Sequence, residues 1–152
     1  NEAKTGWGVL ASASFNLTKK LQVYGQGVYG KGIGQFLNDI SMLNVDVVPD
    51  PEQQGKMQVL PMLGWFGGFQ YNFKPNLFIS STYGQSRLYS DNHYPSKDSE
   101  QYRYGQYLNA SLFWYITSNL QVGAEYLRGW RTDFNGSTRH ANRLNLAAKY
   151  HF

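Results

Sequence analysis

From Trp7 to Leu17 every second residue is apolar or aromatic, while Gly8, Ser12, Ser14 and Asn16 fill most of the positions between. A period of two is the side-chain period of a strand, and an uninterrupted run of this length is longer than the five or so residues of an average soluble strand. The same alternation returns in "LQVYGQGVYGKGIGQF", "MQVLPMLGWFGGFQYNF", "LFISSTYGQSRLYS", "YRYGQYLNASLFWYI", "LQVGAEYLRGWRTDF" and "RHANRLNLAAKYHF", which makes seven strand-like segments. Helix signals are essentially absent. The best helical candidate is a short piece near "QFLNDISML", inside a connection.

The connections alternate as well. "TKK", "KPN" and "TSN" are short, whereas Leu37 to Lys56 and "DNHYPSKDSEQ" are long and polar, and "NGST" falls on the side of the long ones. The stretches "FNLTKKLQV", "YNFKPNLFI" and "WYITSNLQV" repeat one plan of strand end, three-residue turn and strand restart. Each reads as the same kind of hairpin.

Alternation suits a soluble sandwich too, so composition has to choose the solvent. Twelve Tyr, nine Phe and four Trp stand against only 16% charged residues, and many of the aromatics lie near segment ends. Two aromatic girdles, segments long enough to cross a bilayer at a tilt, and alternating short and long connections describe a transmembrane antiparallel β-barrel. No run of apolar residues is long enough for a membrane-spanning helix. The absence of cysteine removes disulfides, thiolate metal sites and thiol nucleophiles.

The chain ends "LNLAAKYHF", with apolar residues on alternate positions before a final aromatic, Phe152. This resembles the terminal strand, here 139 to 152, by which bacterial outer-membrane barrels are recognised for insertion. Together with "GWGVLASASFNL", "VYGKGIGQFL", "YGQYLNASLFWYITSNLQVGAEYLRGWR" and "SRL", it is similar to the C-terminal strands of DcaP-like trimeric outer-membrane porins. The resemblance implies a bacterial outer-membrane location, contact with membrane lipids and lipopolysaccharide, a homotrimer, and about sixteen strands in the full barrel. Seven is an odd number, and bacterial single-chain barrels have even ones. Residues 1 to 152 are therefore expected to form one β-barrel domain that is the C-terminal portion of a larger barrel, with "NEAKTG" on the extracellular side.

In such a barrel the polar parity lines the lumen. That parity holds Arg103, Tyr107, Asn109, Glu125, Arg131, Arg139, Arg143, Asn145 and Lys149, with Ser111, Tyr115 and Gln121. Basic residues outnumber the acidic one, so the expected function is passive diffusion of small hydrophilic anions such as carboxylates. A structural or adhesive barrel with an occluded lumen is the alternative. An outer-membrane barrel hydrolase ranks below both, because no nucleophile, base and orienter converge in the pattern.

Arg87 and Arg128 fall on the bilayer parity, where they require a register shift, a place near the rim or a neighbouring subunit; the rim is expected. Ala11, Ala13, Gly25 and Gly27 form a small-residue row on that same parity, open to lipid or to a subunit contact. "YGQGVYG" contains GxGxxG, but no helix follows, so it is read as strand, with Gly25 and Gly27 outward and Gly30, Gly32 and Gly34 toward the lumen. His93, His140 and His151 are scattered, and Asp91, Asn92, Asp98 and Glu100 lack the spacing of a calcium loop. No cofactor, metal, enzymatic activity or nucleic acid is expected.

Overall fold

The computed structural model describes residues 4–152. The first three residues of "NEAKTG" therefore lie outside the description. Seven strands form one antiparallel sheet in the order β1-β2-β5-β6-β7-β8-β9: β1 Trp7–Asn16, β2 Leu21–Lys31, β5 Pro61–Lys74, β6 Leu77–Leu88, β7 Tyr102–Tyr115, β8 Leu120–Asp133 and β9 Thr138–Tyr150. Every neighbouring pair in the sheet is consecutive along it, as in a meander. The sheet is open, with β1 and β9 as its two edges.

Two of the short turns are closed by the residue that the repeat places there. Thr18 Oγ1 accepts the amides of Lys20 (3.1 Å) and Leu21 (3.0 Å), and Thr117 Oγ1 accepts those of Asn119 (3.3 Å) and Leu120 (3.0 Å). A threonine hydroxyl that captures the amides two and three residues on pins the chain into a tight reversal. In the third turn Asn76 Nδ2 donates across the sheet to the Tyr115 carbonyl at 3.1 Å, beside a register shift between Asn72 and Lys74.

The long connection from β2 to β5 contains a 3-10 turn, Gly34–Phe36, and a hairpin of β3 (Val47–Pro49) with β4 (Met57–Val59). Met57 and Val59 thus belong to this hairpin and not to the long strand expected from Met57 onward. Gly32 and Gly34 also leave the expected strand: β2 stops at Lys31, Gly32 turns the chain at φ +65°, and Gly34 enters the 3-10 turn. Gly25, Gly27 and Gly30 stay in β2 on the expected parities. The hairpin is tied to the β6–β7 connection by Asn92 Nδ2 to Asp50 Oδ2 (3.1 Å) and His93 with Glu52 (2.9 Å), and Lys31 at the end of β2 reaches the same connection through Nζ to Asp91 Oδ2 (2.8 Å).

The buried core sits at one end of the sheet. Ile33, Leu37, Ile40, Val48 and Leu60 of the β2–β5 connection close over Met62, Leu88 and Tyr102 at the strand ends. Elsewhere the sheet is bare, and even on the interior strand β7 Leu112 and Trp114 remain 45% and 47% exposed. A soluble sandwich would bury such residues under a second layer, so burial agrees with a single-layer wall whose apolar face meets something other than this chain.

Candidate functional site

Paired residues share a face, so the register sorts the sheet into two sides. One side, covered at its end by the β2–β5 connection, carries the rungs Gly105–Arg131–Arg139, Tyr107–Gly129–Ala141, Asn109–Leu127–Arg143, Ser111–Glu125–Asn145 and Tyr115–Gln121–Lys149 across β7, β8 and β9. Eight of the nine residues singled out by parity stand in these rungs. The ninth does not. A register shift between Tyr102 and Tyr104 pairs Tyr102 with Asp133, leaves Arg103 as the extra residue of a bulge, and sets its guanidinium 5.9 Å from the Tyr104 ring. A bulge inserts one residue and re-aims its neighbours, so Tyr102 takes the place on the covered side that simple alternation gives to Arg103.

Arg131, Arg139 and Arg143 line a cavity of about 510 Å³ with Tyr102, Tyr107 and Asp39. Asp39 comes from the turn that follows the 3-10 segment of the long connection, folded down onto the sheet. Its carboxylate accepts the Ser86 hydroxyl at 2.6 Å and the Tyr107 hydroxyl at 2.8 Å. Two glycines make room for this docking: a Cβ on Gly64 would stand 2.4 Å from Leu37 Cδ2, and one on Gly105 would stand 2.8 Å from the Tyr102 hydroxyl and 3.1 Å from Asp39 Oδ2.

Electrostatics on the wall are uneven. Arg131 and Arg139 are direct cross-strand partners, an arrangement of like charges that costs stability. Between them lies Asp133, whose side chain is 1% exposed; it accepts Arg131 Nε at 2.7 Å and lies 3.6 Å from Arg139 Nη2. The Arg131 guanidinium also rests 5.6 Å from the Tyr102 ring centroid. Three guanidiniums therefore stand around the cavity against the two carboxylates of Asp39 and Asp133, one positive charge in excess. Nearer the short turns, Arg143 Nε donates to Asn145 Oδ1 (2.8 Å), and Glu125 is occupied by Asn145 (2.8 Å), Ser111 (3.2 Å) and Asn109 (3.3 Å). Lys149 is exposed on the rung nearest the short turns.

Asp39, Tyr102 and Asp133 were not legible as site residues. A weak signal for Asp39 existed in its apolar neighbours Leu37 and Ile40, which a purely solvated connection has no reason to carry. Among the described residues, no group of three or more His, Asp or Glu is placed to hold a metal ion.

The sequence matches no protein-family profile, and no curated protein matches it. The fold does have a match among solved structures, the crystal structure of the outer membrane channel DcaP of Acinetobacter baumannii, with a TM-score of 0.80 and 24% sequence identity. The likeness covers 98% of this chain and 41% of that one, so the chain spans about two-fifths of the length of the protein it matches. The chain thus has the fold of part of an antiparallel β-barrel wall.

Proposed function

We propose that the chain is part of a bacterial outer-membrane channel for passive diffusion of small hydrophilic solutes, with a preference for anions such as carboxylates. The cavity beside Arg131, Arg139 and Arg143 carries the reading: it is open space on the covered side, bordered by more positive than negative charge. A cleft lined mostly by one sign of charge raises the local concentration of the opposite ion. The likeness to a channel barrel supports the same reading, and so does the bare apolar face, which suits lipid. In this reading the covered side is the lumen, the long connections are extracellular, and further strands beyond the open edges β1 and β9 complete the barrel.

The geometry also suggests how the passage is narrowed. The β2–β5 connection lies against the inside of the wall, and Asp39 sets a carboxylate across the cavity from the arginines. A solute passing here meets a transverse field that orients dipolar and anionic groups. Conductance of the intact protein in planar bilayers, with reversal potentials in a salt gradient, tests the proposal. Anion preference is expected; cation preference would overturn the selectivity, and a folded, inserted protein without conductance would overturn the channel. That second outcome would favour the structural or adhesive barrel, for which the apolar packing of Leu37 and Ile40 over the wall is the supporting observation.

A further inference from the structure

The other side of the sheet, uncovered by any connection, holds a second charged feature. Arg87, Arg103 and Arg128 lie toward the loop ends of β6, β7 and β8, and each rests on an aromatic ring. Arg87 is 5.0 Å from the Tyr89 centroid and 5.6 Å from that of Tyr104, Arg103 is 5.9 Å from Tyr104, and Arg128 is 4.9 Å from Trp130. Two guanidiniums thus converge on one tyrosine. Among the described residues none of the three arginines has a carboxylate partner, and no Asp or Glu stands on this side of any strand of the sheet. Arg87 Nε is buried and has no hydrogen-bond partner.

Their height on the wall matters. Trp130 lies ten residues above Leu120 on β8, which at about 3.3 Å per residue and a tilt of about 40° is about 25 Å, the height of an outer-membrane apolar band. Trp130 therefore marks the upper edge of that band, Arg128 reaches up to it from the rung below, and Arg87 pairs with Tyr104 on the rung above. Beneath Arg128 the side is apolar, with Tyr126, Leu144, Ala124 and Leu146. Guanidiniums held on rings with their remaining donors unpaired by carboxylate suit phosphate, which accepts planar bidentate donation.

We propose that Arg87, Arg103 and Arg128 form a site for the phosphate groups of a glycolipid in the outer leaflet, its acyl chains lying on the apolar band below. The proposal rests on the reading of the chain as an outer-membrane wall with extracellular long connections. Cationic charge without carboxylate, set directly above a bare apolar surface, is the complement of a phosphorylated lipid; free phosphate has no use for the apolar part.

The test uses the full-length protein in detergent and native mass spectrometry. The probes are bis-phosphorylated lipid A, the same lipid with its phosphates removed, and inorganic phosphate as competitor. The wild type is expected to prefer the phosphorylated lipid by at least about tenfold, as two or three cations near a membrane surface supply, with little competition from inorganic phosphate. Arg87→Gln/Arg128→Gln is expected to lose that preference while keeping the heat-dependent gel shift of a folded barrel and unchanged bilayer conductance. Arg128→Gln alone, at an exposed position, serves if the double variant does not fold, and a severalfold loss is expected of it. An equal affinity for both lipids, a preference untouched by these substitutions, or complete competition by inorganic phosphate overturns the site. Loss of the protein's oligomer in place of lipid preference also overturns it, and assigns the arginines to a neighbouring subunit. Failure of the wild type to insert or conduct speaks against the channel itself, whereas conduction without lipid preference speaks against this site alone.

Discussion

Replacing Asp39 with Asn removes one negative charge from the cavity and leaves its shape. The side-chain amide still has an oxygen to accept from Ser86 or Tyr107, and either hydroxyl can turn to accept from its nitrogen, so docking of the connection is retained. A cavity of about 510 Å³ is about 10 Å across, so an ion at its centre sits about 5 Å from Asp39, where a unit charge in water is worth about 0.8 kcal/mol and about 0.5 kcal/mol after screening at 0.1 M salt. Anion occupancy should then rise about twofold and cation occupancy fall by the same factor, for an increase of about fivefold in the anion-to-cation permeability ratio. Reversal potentials of Asp39→Asn and wild-type channels in the same KCl gradient measure this directly. The increase should shrink at 1 M salt, where the Debye length is about 3 Å. An unchanged or lowered ratio at low salt would show that the Asp39 carboxylate does not face the permeation path.

Arg143→Gln should lower the same ratio severalfold, and by more than Arg103→Gln, because the bulge holds Arg103 against Tyr104; equal effects would put Arg103 back in the passage. Arg131→Gln should cost about 2 kcal/mol of stability, since it strips the short partner from the buried Asp133 carboxylate and leaves only Arg139 at 3.6 Å. Adding Asp133→Asn should recover much of that loss in a urea or thermal unfolding series, and no recovery would mean that the pair is not coupled. Gly64→Val drives a side chain into Leu37, so the segment between β2 and β5 should become sensitive to limited proteolysis while β7 to β9 stay protected. The Lys31–Asp91 bridge, with both side chains about a third exposed, should contribute at most about 1 kcal/mol, and Lys31→Gln in high salt should be indistinguishable from wild type by melting temperature.

How far the sequence reached depended on the range of the interaction that decides each feature. Strands such as Trp7–Asn16 and Leu120–Asp133 were visible because alternation is a local property, and one apolar face imposes it residue by residue. The turns at Thr18 and Thr117 were visible because their chemistry lies within three residues. β3 and β4 were hidden: three residues are too few to establish a period, and Pro49 argues against a strand. Asp39 was hidden because its position depends on Gly64 and Gly105, residues on two different strands that contribute by lacking a side chain. The bulge at Arg103 was hidden because a bulge changes parity only upstream of itself, and the alternation from Tyr104 onward carries no trace of it. The residue that decides the matter is Tyr102, which pairs with Asp133 thirty-one positions away.

That bulge also gives the wall a way to change without being rebuilt. Loss of Arg103 would restore plain alternation with Tyr102 still opposite Asp133, whereas loss of Tyr102 would restore it with Arg103 in that place, and in either case every rung from Gly105 to Tyr115 keeps its partner. Which of two neighbouring codons is lost therefore decides whether an aromatic or a cation stands opposite Asp133. If the chain is the channel wall proposed above, length at the top of β7 acts as a heritable dial on what the mouth presents, set apart from the part of the strand that meets the membrane.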